Sequence, residues 1–187
     1  MKKTVAGSLG AGLMTMALVG AGLATQNAPH KASPEKQHEW LQQLVGEWQL
    51  EAECSMPGMP PEKSKGQDSV HALGDLWVVS ETEGTFMDEP VAGMMTLGYD
   101  TERDKFVGTS VCDSSTHLWE YTGTLDASGK VLTLETEGLD PATGAKARFK
   151  DVIEIKDRDT RVMTSSMQGK DGNWTKIMTM TFRRTAG

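Results

Sequence analysis

From Gly46 to Arg184 the chain is a succession of short runs in which apolar and polar residues alternate, most of them ended by Asp, Gly or Pro. Tyr121-Thr-Gly-Thr-Leu125, Asp126-Ala-Ser-Gly-Lys130 and Val131-Leu-Thr-Leu-Glu135 show the unit: a strand, a tight turn and a second strand. A period of two fits the pleat of a strand, whose successive side chains point to opposite faces, and does not fit a helix. Such runs, recurring roughly every 8–12 residues, predict an antiparallel sandwich or barrel. Ten strands are expected, near 46–54, 67–73, 76–86, 91–100, 105–112, 117–126, 131–138, 145–156, 161–168 and 174–184. Asp100–Asp104, Asp140–Gly144, Asp157–Thr160 and Gly169–Gly172 separate them with residues suited to turns. Before the first strand, His38 to Val45 places Trp40, Leu41, Leu44 and Val45 on one face of a short helix.

The N-terminus points to export. Lys2 and Lys3 precede an uncharged stretch from Val5 to Leu23, and Gly22-Leu-Ala24 offers the small residues of a cleavage site. Residues 1–24 therefore read as a signal peptide, with a soluble periplasmic or secreted product. A retained anchor is the alternative; the stretch is glycine-rich and barely long enough to span a bilayer, so no stable membrane insertion is expected after cleavage. Residues 25–37, polar and carrying Pro29 and Pro34, read as a disordered spacer, and 38–187 as one domain. The net charge is −7, or −9 once Lys2 and Lys3 are removed. An acidic body without a basic stripe is a poor partner for nucleic acid.

Parity along each strand separates a candidate interior from an exterior. His117, Trp119, Tyr121 and Leu125 share one face; so do Trp174, Met178, Met180 and Phe182; Ala147, Phe149, Ile153 and Ile155; Met163 and Met167; and Trp48, Leu50, Ala52 and Cys54. In a small barrel such residues fill the core, whereas ten strands leave room for a ligand. An apolar stripe is first of all a core. The binding reading takes Trp48, His117, Trp119, Tyr121, Met163, Met167, Trp174, Met178 and Met180 as the lining of one pocket for a small apolar or amphipathic molecule, with His117 near its mouth. The competing reading is a packed barrel whose outer surface meets a protein or envelope partner.

Gly46-Glu-Trp48, after the short helical segment, resembles the opening Gly-x-Trp of lipocalin-like barrels. Gly98-Tyr-Asp100, Lys105-Phe-Val-Gly-Thr109, Cys112-Asp-Ser114, Tyr121-x-Gly-Thr-Leu-Asp126, Asp140-Pro-x-Thr-Gly144 and Asp171-Gly-x-Trp-x-Lys-Ile-Met178 follow in order. Together they resemble a bacterial family of secreted or cytosolic domains known only as domain of unknown function number fifteen seventy-nine, over about 38–185. The resemblance implies a lipocalin-like antiparallel β-barrel and no established activity, so it carries over no catalytic residue. Cys112 stands where that family is expected to have a larger apolar residue.

Four constellations invite chemistry. Cys54 and Cys112 are an even pair in a chain read as exported, where disulfides persist. Their strands, the first and fifth, are not expected neighbours, and bridging needs Cα atoms within about 7 Å; the pairing stays open. Cys54-Ser-Met-Pro-Gly-Met59 is a soft-ligand loop suited to Cu(I). Most methionines, however, sit on strand faces, where they serve as flexible filler. His71 and His117 fall within expected strands, and a barrel histidine can ligate haem, as in nitrobindin-type barrels. A lone strand histidine more often makes a hydrogen bond. Asp113-Ser-Ser115 with His117 has the composition of a hydrolytic triad, but no nucleophile elbow accompanies it. No cofactor or metal and no enzymatic activity are therefore expected.

Overall fold

The alternating runs fold into strands that close on one another. The structure, a computed structural model, describes residues 32–55, 60–86 and 88–185. The expected signal peptide and part of the spacer lie outside the described residues, as do Met56–Met59 of the soft-ligand loop. A helix, α1 (Lys36–Gln42), precedes ten strands: β1 (Gly46–Cys54), β2 (Glu62–Leu73), β3 (Trp77–Phe86), β4 (Glu89–Asp100), β5 (Lys105–Cys112), β6 (Trp119–Leu125), β7 (Val131–Leu139), β8 (Lys146–Ile155), β9 (Thr160–Gln168) and β10 (Trp174–Arg184). Every strand pairs antiparallel with its sequence neighbour, and β1 pairs with β10, which closes the barrel. The expected lipocalin-like barrel is the observed fold.

Two boundaries differ from expectation. β2 starts at Glu62 rather than near residue 67, because Lys63 and Lys65 face outward while Ser64 and Gly66 face in, an alternation that charge disguises. His117 precedes β6 instead of lying within it. His71 is in β2 but exposed on the outer face.

Helix α1 plugs one end. His38, Trp40 and Leu41 are buried. The indole of Trp40 donates to the Gly129 carbonyl at 2.8 Å and meets the Phe106 ring edge-on at 5.7 Å. His38 Nδ1 accepts from the Glu35 amide at 2.8 Å, which leaves its Nε2 to donate to the Tyr99 carbonyl at 3.2 Å. Gly129 carries φ +69°, the left-handed turn conformation that glycine adopts without strain. Beneath the plug, Trp48 is fully enclosed, its indole donating to the Leu44 carbonyl at 2.9 Å. Arg184 lies over the Trp48 ring at 4.1 Å and donates to the Val45 carbonyl at 2.6 Å and the Gln43 carbonyl at 3.1 Å. One end of the barrel is thus sealed, so any cavity inside opens the other way.

Candidate functional site

Inward-facing residues follow one parity in each strand, and their sizes divide the interior. On the β6–β8 side these positions carry Trp119, Tyr121, Leu132, Leu134 and Phe149, with Ile153 between them and the cavity wall. On the β1–β5 side they carry Ala52, Ser64, Gly66, Gly84, Gly93 and Ser110. Gly66 and Gly84 face each other so closely that a Cβ on Gly66 would stand 2.3 Å from the Glu83 carbonyl oxygen. Glycine inside a strand commonly marks such a close approach of two backbones. These small residues leave a cavity of about 360 Å³, near the lower end of the roughly 300–1,000 Å³ typical of small-ligand pockets. Val78, Leu97, Val91, Phe86, Met163, Met178, Met180 and Phe182 supply most of its apolar wall.

The buried charged pair of the lining lies on the helix side of the cavity, while Ser64, Ser110 and Ser114 add hydroxyls elsewhere on the wall. Asp68, only 1% exposed, accepts from Ser80 Oγ at 2.5 Å and from Thr82 Oγ1 at 2.7 Å on one carboxylate oxygen. Its other oxygen receives Arg161 Nη2. Arg161 is sandwiched between the Trp48 and Phe182 rings, at 4.5 and 4.4 Å from their centroids, and reaches the Leu44 carbonyl at 3.4 Å. Burial pushes the guanidinium pKa down to about 10 against the pull of Asp68, so it stays charged at neutral pH. A second polar group belongs to the packed half: Tyr121 Oη donates to Asp151 at 2.9 Å, and Ser165 also hydrogen-bonds that carboxyl. Burial raises the Asp151 pKa above the usual carboxylate range, although both hydrogen bonds pull it back. Burial and the adjacent Asp151 charge push Tyr121 far above the ordinary tyrosine range.

The nine residues expected to share one pocket are distributed over several environments. Met163, Met178 and Met180 line the cavity. Trp48 lies beneath it, stacked on Arg161 and Arg184. Trp119 and Tyr121 face inward but pack in the other half, Trp119 against Phe149 at 5.1 Å and over Gly138, where a Cβ would come within 2.5 Å of the indole. Met167 sits opposite Phe149 and Thr175, away from the cavity wall. His117 is on the rim of the packed half, its ring edge-on to Trp119 at 4.6 Å and its Nε2 donating to the Glu137 carbonyl at 3.1 Å. That hydrogen bond also keeps Nε2 from Ser114 and Ser115. Trp174 is on the outside, because the register shifts between Lys176 and Met178. The extra residue, Ile177, reverses the parity, so Trp174 leaves the face of Met178 and meets Lys150, whose ammonium lies 4.4 Å from its centroid.

Sequence reasoning looked for large residues and overlooked the small ones. The signal was present: Ala52, Ser64, Gly84 and Gly93 all fall on inward parity and line the unfilled part of the interior. Asp68 and Arg161 were overlooked because a charged residue in a strand ordinarily faces solvent. Cys112 lies on the cavity wall beside Ser114, its Sγ 3.4 Å from Ser114 Oγ. No disulfide joins Cys54 and Cys112, since β2, β3 and β4 separate their strands. Among the described residues no group of three or more His, Cys, Asp or Glu side chains is placed to hold a metal.

Comparison with known proteins places this barrel. No curated protein matches the chain. Among solved structures it is similar to Rv2717c from M. tuberculosis, at 16% identity and a TM-score of 0.62, over 82% of this chain and 100% of that one. It is also similar to the S-type phycobiliprotein lyase CPES from Guillardia theta, at 14% identity and a TM-score of 0.56, over 82% of this chain and 99% of that one. At such identities the likeness is one of fold. Residues 33–184 match the model of the family described as "Protein of unknown function (DUF1579)", which spans α1 and all ten strands, and the chain belongs to that family.

Proposed function

We propose that the protein is an exported carrier that holds a small amphipathic molecule inside the barrel. One observation carries this reading: a cavity of about 360 Å³, walled mainly by apolar side chains, closed at one end by α1 and carrying one buried charged pair, Asp68–Arg161. Pockets of that make-up favour ligands that are mostly apolar with one oriented polar group. Methionine suits such a wall because its unbranched thioether adapts to irregular shapes. The binding residues are then Met163, Met178, Met180 and Phe182 on one wall and Val78, Val91 and Leu97 on the other. Export is part of the proposal and rests on Lys2, Lys3, the apolar stretch and Gly22-Leu-Ala24.

The test is a titration of the purified protein with a small uncharged naphthalene dye whose emission rises in apolar surroundings. Saturable binding is expected, and Ala52→Phe, which directs a ring into the cavity, should weaken it at least tenfold. Absence of saturable binding by the wild type would remove the carrier reading and favour a partner on the outer surface. Native mass spectrometry of protein purified from its own host should further detect a retained molecule as added mass. For export, the mature chain should begin near Thr25; an intact Met1 terminus in washed membranes would contradict it.

A further inference from the structure

We propose that the polar end of the ligand is uncharged, a hydroxyl or primary amide, and that it rests on the Arg161–Asp68–Ser80–Thr82 patch with its apolar body directed to the open end. This inference rests on the carrier reading and goes beyond it by naming the chemical class. The first argument is charge. Asp68 and Arg161 are the charged side chains that reach the cavity, and they neutralise each other. Lys65 flanks it but extends outward to Glu51 at 3.9 Å. Arg184, over the other face of Trp48, pairs with Asp159 at 3.7 Å. An ionised carboxylate or ammonium entering the cavity would find no opposite charge left to compensate it, and an uncompensated buried ion is strongly disfavoured.

The second argument is hydrogen-bonding capacity. Ser80 and Thr82 each have one hydroxyl hydrogen, and both are spent on Asp68. What they present to the cavity is lone pairs, which call for a donor on the ligand. Arg161 has five N–H groups and uses one on Asp68 and one on the Leu44 carbonyl. What it has left is donors, and with both faces of the guanidinium covered by Trp48 and Phe182 these lie at its edge. A patch that offers donors and acceptors side by side is matched by a group that is both, as a hydroxyl or a primary amide is. A carboxylate only accepts and would face the Ser80 and Thr82 lone pairs; an ammonium only donates and would face Arg161.

The experiment is competition against the neutral dye by four molecules of one chain length: octanol, octanamide, octanoate and octylammonium. Octanol and octanamide should displace the dye at concentrations at least tenfold below those of the two ions at neutral pH. Lowering the pH into the carboxylic-acid range should bring octanoate towards octanol while octanol itself stays constant. Octanoate displacing the dye as well as octanol at neutral pH would overturn the inference and leave the carrier reading intact. No saturable dye binding at all would overturn both.

Discussion

The two halves of the barrel interior are built on the same parity and reach opposite outcomes. Along β6, β7 and β8 the inward positions include Trp119, Tyr121, Leu132, Leu134 and Phe149, and Leu132 and Leu134 have no solvent-accessible surface. Along β1 to β5, toward the open end, the inward positions hold Ala52, Ser64, Gly84 and Gly93, and the same backbone encloses space. The contrast teaches that burial by a barrel wall and filling of its interior are separate properties. The first is set by hydrogen-bonded closure, the second by the size of each inward side chain. The buried core runs through both halves at the helix end, and the capacity to hold another molecule lies where β1 to β5 approach the open end.

Substitutions in each half test that division. The largest effect should follow Trp119→Ala. It removes an indole wedged between His117 and Phe149 and should cost about 3–5 kcal/mol of folding stability by chemical denaturation, while the folded fraction still binds the dye. Loss of dye binding with unchanged stability would mean that the halves are not separate. Next is Ala52→Phe on the open side. Dye affinity should fall at least tenfold, about 1.4 kcal/mol, with the denaturation midpoint nearly unmoved because the ring enters empty volume. A large destabilisation, as in an overpacked core, would show the cavity to be closed in solution.

Asp151→Asn addresses a buried carboxyl of the packed half that no cation offsets and that Tyr121 and Ser165 hydrogen-bond. Its raised folded-state pKa means that the unfolded chain gives up this proton more readily than the folded one. The site's contribution is therefore fully present below the ordinary carboxylate pKa of about 4 and is lost as pH rises through the raised value. Asp151→Asn should melt higher than the wild type at neutral pH, and the difference should close on acidification. An equal difference at every pH would contradict the assignment. The smallest effect belongs to Trp174→Ala. It removes an outer-face contact with Lys150, worth roughly 0.5–1 kcal/mol, and should leave dye binding unchanged.

The fold was legible because each strand carries its own period and each turn its own chemistry, both local properties. The hairpin 121–135 is readable without any knowledge of what it packs against. The site was legible only in part. Met163, Met178 and Met180 follow from parity alone, but parity fails where a strand carries an extra residue, and nothing in Lys176-Ile-Met178 announces the bulge that turns Trp174 outward. The Asp68–Arg161 pair joins positions 93 residues apart, on β2 and β9. Each residue read singly belongs on a surface; only closure of the barrel brings them together. An empty volume is harder still to read, since it is defined by residues that do little.

The pairing of β1 with β10 has a further consequence for how the molecule comes into being. Arg183 bonds Glu51 across 132 positions of sequence, and Arg184 bonds Val45 across 139. Contacts of that separation bring a large loop-closure entropy and slow the folding of sheet proteins. The hairpins from β2 to β9 can form in order as the chain emerges, but until β10 arrives they make an open sheet with two unpaired edges. The final strand closes the ring and brings Met178, Met180 and Phe182, one wall of the cavity, in the same step. Any molecule held inside is therefore taken up after synthesis of the barrel is complete, and a chain ending before Trp174 would expose apolar edges with no cavity to bind in.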